Sequence, residues 1–192
     1  MVKIPQKTKE EIELMRRACK VTSQILDAVG DVVKPGVSTE EINEFVHNMT
    51  LELGAVPATL NYRGYPKSVC TSINDVICHG IPSAYEVLKA GDIVNIDVTS
   101  IKDGFHGDAS RMFMVGGPDA CSEDARQLVR IAREAMYKGI EAVAPGKRIG
   151  DIGAAIQAFI ESTGKGYGIV RDYTGHGVGR EFHEPPQVLH IG

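Results

Sequence analysis

The spacing of apolar residues divides the chain into helical and extended stretches. Thr8 followed by Glu11 makes a capping box, and Ile12, Met15, Cys19, Thr22, Leu26 and Val29 then recur at steps of three and four up to Gly30. That rhythm predicts an amphipathic helix. After a Pro35-Gly36 break, Ser38 and Glu41 form a second capping box, and Ile42, Phe45, Val46, Met49 and Leu53 predict another helix ending at Gly54. Short apolar runs at Ala58–Tyr62, Ser68–Ile73 and Val76–His79 predict strands, the last two separated by an Asn74-Asp75 turn. Gly91–Val115 then reads as two longer strands joined at Lys102-Asp103-Gly104, because an Asp-Gly pair between apolar, β-branched runs signals a hairpin.

The pattern inside that hairpin places two carboxylates. If Asp103-Gly104 is a two-residue turn, Asp97 pairs with Ser110 and Thr99 with Asp108, and Asp97 and Asp108 become diagonal neighbours roughly 7–8 Å apart by backbone. A two-residue loop at Lys102-Asp103 sets them directly opposite, and a three-residue loop splits them onto different faces. In the favoured register Asn95, Asp97, Thr99, His106, Asp108 and Ser110 share one face, and Val94, Ile96, Val98, Phe105, Phe113 and Val115 share the other. Like charges so close are destabilising unless a cation lies between them. A solvated face of an antiparallel hairpin is the plainer alternative.

The second half begins as the first does. Ser122-Glu123-Asp124 is an acidic helix start, Leu128, Val129, Ile131, Ala132, Ala135 and Met136 form a stripe, and Pro145-Gly146 breaks it. Ile152, Ala155, Ile156, Phe159 and Ile160 build a further helix that stops at Gly164. Laying Pro35-Gly36 on Pro145-Gly146 sets an offset of 110, which also brings Ile42 onto Ile152, Val46 onto Ile156, Met49 onto Phe159 and Gly54 onto Gly164. This predicts a duplicated helix–helix–sheet unit in one domain spanning 1–192, with a first repeat over about 8–115 and a partial second over about 120–192. Asp97 and Asp108 carried forward fall at 207 and 218, past Gly192, so the expectation is a second repeat without its hairpin.

Composition narrows the classes. Forty-three per cent hydrophobic residues suits a globular core, and a net charge of −4 argues against a nucleic-acid or anionic-membrane partner held by bulk charge. No run approaches a membrane span and the N-terminus has no apolar signal core, which points to the cytoplasm. Cys19, Cys70, Cys78 and Cys121 are widely spread, as free thiols in a reducing compartment are.

Candidate chemistry continues downstream in Tyr173–His190, YTGHGVGREFHEPPQVLH, where glycines flank His176 and His183 follows. With Asp97 and Asp108 these offer oxygen and nitrogen donors without a thiolate, a set suited to Mn, Fe, Co or Zn as divalent ions.

The segments NDVICHGIP, NIDVTSIKDGFHGDASRMFMVG and GHGVGREFHEPP, in that order, resemble type I methionine aminopeptidases of peptidase family M24, and the likeness runs from about Glu11 to His190. The resemblance implies an α+β pita-bread fold (creatinase/aminopeptidase-like), with helices outside a curved antiparallel sheet and a pseudo-twofold repeat whose second half is incomplete here. It implies a metal-dependent enzyme that removes initiator methionine from nascent chains when the next residue is small, by attack of a metal-bound hydroxide. Asp97 would chelate one ion, Asp108 would bridge two, and His176 would bind the other. His79 and His183 would hold and polarise the substrate peptide, and Tyr62, Tyr65, Cys70 and Phe182 would line the methionine pocket. A monomer acting on N-terminal Met peptides, with a possible ribosome contact, is implied as well.

The family's two further glutamate ligands have no match; Glu181 and Glu184 lie inside the histidine motif. The expectation is a C-terminally truncated domain holding at most one ion weakly, inactive or weakly active. Competing readings are a thiol hydrolase on Cys70 or Cys78, a metal-poor pseudo-enzyme that binds peptide N-termini, and a related proline-specific peptidase or creatinase-like hydrolase. Adjacency of Cys78 and His79 on one predicted strand would turn them to opposite faces and disfavour that thiol pair.

Overall fold

Both N-terminal capping boxes form. Thr8 Oγ1 accepts from the Glu11 N–H at 3.2 Å while the Glu11 carboxylate accepts from the Thr8 N–H at 3.0 Å, so helix α1 starts at Lys9 and runs to Val29. Ser38 and Glu41 exchange the same pair of bonds and start α2, Thr39–Glu52. The buried face of α1 is Ala18, Val21, Thr22, Ile25, Leu26 and Val29. It lies to one side of the stripe the sequence suggests, since Ile12 and Cys19 are exposed.

The computed structural model describes residues 4–192 and separates into two units, one of Gln6–Ala125 with Val178–Phe182 and one built mainly of Arg126–Gly177 with His183–Gly192. In the larger unit an antiparallel sheet is centred on β3, Ile93–Lys102. Strand β4, Phe105–Met114, pairs along its whole length, while β1, Val56–Pro57, and β2, Cys70–Ile73, share its other edge. Helix α1 lies across β3 and β4. The core is filled by Ile25, Leu26 and Val29 of α1, Ile42 and Val46 of α2, and Val94, Ile96 and Val98 of β3, each worth about 1.5–3 kcal/mol on burial.

One contact fixes how closely helix and sheet approach. A Cβ on Gly107 of β4 would stand 2.5 Å from the Ala18 carbonyl, so only glycine admits α1 at this distance. The Gly107 carbonyl accepts from Thr22 Oγ1 at 2.8 Å, and Thr22 and Ser100 hydroxyls meet at 2.6 Å. Polar groups trapped under the helix are thereby satisfied. This face of the hairpin is committed to α1.

Two strand predictions need correction. Val76–His79 is a loop: Ile77 is 66% exposed and His79 has φ 57°. Asn74, also at positive φ, turns the chain away, and contact with β2 resumes at Gly80, whose carbonyl accepts from the Thr71 N–H at 3.0 Å. None of Ala58–Tyr62 is strand: β1 ends before it at Pro57, and Asn61 and Arg63 enter the left-handed region and wind Tyr62–Gly64 into a tight helical turn.

The smaller unit holds most of α3, Glu123–Glu141, with α4, Ile149–Ser162, and the short pair β5, Gly175–Gly177, and β6, Glu184–Val188. Shifted by 110 residues, α2 coincides with α4 at both ends. The breaks repeat as well: Gly36 and Gly146 have φ 90° and 84°, and Gly54 and Gly164 have φ 65° and 63°. The duplication therefore extends to backbone conformation. Among the described residues no helix is long and apolar enough to cross a membrane.

Candidate metal centre

Hairpin register decides what the carboxylates can do. Asp103 and Gly104 take φ of 52° and 76°, the doubly left-handed turn that matches strand twist, and Asp97 faces Ser110 while Thr99 faces Asp108. The favoured register is the one formed. Since the alternate face is pressed against α1, Asp97, Thr99, His106, Asp108 and Ser110 project from the opposite side.

That side is only partly solvated, open at Ser110 and closed toward the hairpin turn. Thr99 and His106 are buried and Asp97 and Asp108 partly so. Burial, and secondly the Asp108 carboxylate, push Asp97 up to about 7. Thr99 Oγ1 donates to Asp108 Oδ1 at 2.9 Å, fixing that side chain. Two adjoining oxygen-donor groups, one of them costly to ionise beside the other, fit a divalent cation, which removes the repulsion. Among the described residues no group of three or more His, Cys, Asp or Glu is gathered as an ion cage.

Strand β2 brings the predicted pocket residues to this carboxylate. Cys70 pairs with Asp97 across the ladder, and Tyr65 donates its hydroxyl to the carbonyls of Val69 at 3.1 Å and Gly80 at 2.8 Å. Burial raises the Tyr65 phenol and pushes the Cys70 thiol up to about 11, Tyr65 lowering and Asp97 raising the latter. The Cys78 thiol is also raised, by burial and then by Asp97. A nucleophilic cysteine needs the reverse, so the thiol-hydrolase reading loses its support on these grounds. Strand alternation of Cys78 and His79 cannot serve as the reason, since both lie in a loop.

His79 is exposed on that loop, held by its neighbour. A Cβ on Gly80 would stand 2.0 Å from the Thr71 carbonyl oxygen, and the Gly80 N–H donates to Ser72 Oγ at 3.1 Å. Tyr62 packs its ring on Phe182, centroids 4.7 Å apart at 48°. Left-handed Asn61 and Arg63 on either side of Tyr62, and His79 itself, are backbone conformations that cluster at functional sites.

In the smaller unit His176 lies on β5 opposite Gln187, and its ring is 4.2 Å from that of His183 at 33°. His176 Nδ1 donates to the Gly177 carbonyl at 3.0 Å, leaving Nε2 as the lone-pair nitrogen, the form a metal ligand takes. His183 is exposed just before β6.

Sequence reasoning left two contributors without a role. Thr99 is legible as Asp108's cross-strand neighbour once the register is known, whereas the burial of His106 depends on the distant segment at Gly179–Phe182.

The profile of metallopeptidase family M24 matches residues 13–191. The chain belongs to metallopeptidase family M24. It is 53% identical over 185 residues to the methionine aminopeptidase of Escherichia coli (strain K12), covering 96% of this chain and 68% of that protein. Methionine aminopeptidase A of Synechocystis sp. is 50% identical, with 96% and 71% covered. The crystal structure of methionine aminopeptidase from Rickettsia prowazekii superposes with a TM-score of 0.93 at 49% identity, covering 100% of this chain and 74% of that one. Prolidase from Pyrococcus furiosus superposes at 0.79 and 26% identity, covering 96% and 52%. The fold is the pita-bread arrangement of M24 enzymes, and as an M24 metallopeptidase the chain is a hydrolase whose family uses divalent metal.

Proposed function

We propose that this chain is a methionine aminopeptidase that releases initiator methionine from nascent polypeptides in the cytoplasm when the next residue is small. The reading rests on the Asp97/Asp108 pair on one face of β3–β4, with Asp97 pushed up to about 7. Relatives at about half identity carry that activity in their names, whereas the prolidase stands at 26%, which favours methionine over proline specificity.

Asp97 and Asp108 of the larger unit would supply oxygen ligands, and His176 of the smaller unit, whose Nδ1 bonds the Gly177 carbonyl, would offer Nε2 as a nitrogen ligand, to Mn, Fe, Co or Zn. Such an ion, when bound, supplies Lewis acidity and an activated water for amide hydrolysis. Thr99 keeps Asp108 in one orientation. His79 and His183 hold the substrate's peptide group and stabilise charge developing on it. Tyr62, Tyr65, Cys70 and Phe182 enclose the methionine side chain, and the raised Cys70 thiol stays neutral and apolar toward it.

The test is methionine release from Met-Ala-Ser by the purified chain titrated with Mn²⁺ and Co²⁺, beside Asp97→Ala. Metal-dependent release that needs Asp97 supports the reading. No release from soluble, folded protein overturns it for this chain, and peptide binding that survives chelation would then identify a metal-free binding module.

A further inference from the structure

His106 is 8% exposed and has no part in the chemistry above. Its backbone N–H donates to the Gly179 carbonyl at 2.8 Å, and its Nδ1 meets the same oxygen at 3.0 Å. A carbonyl only accepts, so Nδ1 carries the proton and the imidazole has one defined tautomer. The ring stacks on Phe182, centroids 5.6 Å apart at 22°. Phe182, 9% exposed, in turn meets Tyr62.

One residue of a long paired strand therefore grips both ends of the short segment Gly179–Phe182. The middle of that segment is fastened independently: the Arg180 guanidinium lies 4.5 Å from the Phe105 ring centroid and reaches Glu11 at 3.5 Å. Those contacts keep the segment near the sheet without setting the tilt of Phe182. The imidazole lies nearly parallel to the phenyl ring on one side, and Tyr62 meets the same ring at 48°.

We propose that His106 is a positioning residue for substrate specificity: by bonding Gly179 and stacking on Phe182 it fixes the Phe182–Tyr62 pair, and so the width of the pocket for the substrate's first side chain. This rests on the methionine-pocket reading above. Without the imidazole, Phe182 has room to rotate into the space it vacates, and the pocket loses shape complementarity to an unbranched thioether.

Three variants separate the contacts. His106→Ala removes ring and Nδ1, His106→Phe keeps a ring, and His106→Asn keeps a donor at the Nδ1 position. With Met-Ala-Ser and Leu-Ala-Ser as substrates, His106→Ala is expected to raise KM for the methionine peptide about three- to tenfold, the weight of one aromatic contact, with kcat within about twofold. Preference for methionine over leucine narrows correspondingly. His106→Phe restores most of that preference, and His106→Asn restores less.

An unchanged KM and preference in His106→Ala overturns the inference while the functional reading stands. So does an equal fall in kcat on both peptides at constant KM, which is the signature of a smaller folded fraction. Should the wild-type chain release no methionine, calorimetric affinity for L-methioninamide reads the same variants. Selective weakening in His106→Ala supports the inference; equal binding by wild type and variant, or no binding by wild type, overturns it.

Discussion

Helices α1 and α3, each with the turn that follows it, carry one pattern and meet different surroundings. At the repeat offset Ala18, Leu26 and Val33 correspond to Leu128, Met136 and Val143, yet the first three are 0%, 3% and 9% exposed and the second three 43%, 47% and 66%. Val21 and Ile25, by contrast, are buried like their counterparts Ile131 and Ala135. The centre of the stripe is kept and its flanks are not. In the first half β3 and β4 underlie α1, while among the described residues the strands of the smaller unit are the short β5 and β6, with β6 against α4. Apolar period is enough to specify a helix, but burial needs a second surface to receive it.

Chemistry is divided as unequally as burial, which gives the largest expected effect. Asp97→Ala should reduce metal-stimulated methionine release to the level of chelated protein, measured with Met-Ala-Ser; retained release would mean that the first-half hairpin is not the metal element. Next in size is the burial contrast itself. Leu26→Ala is expected to cost about 3 kcal/mol of unfolding free energy and Met136→Ala under about 1, both by urea denaturation. Equal losses would break the comparison, because they would show the α3 flank covered in solution.

Smaller effects sharpen the account of the hairpin. Thr99→Val should weaken binding of Mn²⁺ or Co²⁺ about tenfold by calorimetry, and Thr99→Ser should recover it, since only the hydroxyl that orients Asp108 differs. The smallest is a pH effect on stability. Asp97 is held near 7 against an ordinary 3.8, so between these values the folded metal-free chain keeps a proton that the unfolded chain has released. Stability from this group is therefore greatest below the unfolded value and declines as pH rises toward 7, by less than about 1.4 kcal/mol per pH unit. Denaturation in a chelator at pH 5.5 and 6.5 checks the sign, and Asp97→Asn should flatten the difference. Metal affinity runs the opposite way, rising to about pH 7 as the proton leaves.

Local chemistry explains what was legible beforehand. Thr8/Glu11 and Ser38/Glu41 satisfy orphan N–H groups within four residues, and Asp103-Gly104 admits one turn that suits twisted strands, so both helix starts and the carboxylate register follow from short stretches. Val76–His79 has strand-like composition but follows the Asn74 turn as a loop, and β2 is met at Gly80 instead. Cys19 fits the α1 period yet faces outward, since Gly107 draws the helix in at Ala18 and sets its rotation. The burial of His106 and the pairing of Tyr62 with Phe182 join residues more than seventy positions apart, which no periodicity encodes.

The Gly80 carbonyl that takes the Thr71 N–H also bears on colloidal behaviour. A strand edge with unused amides is a template for another chain, and here the loop that carries His79 occupies that template from within the same molecule. Cover of the β2 edge and the placement of His79 thus depend on the same hydrogen bonds at Gly80. Selection against self-association would conserve this loop even in a descendant that had lost all catalysis.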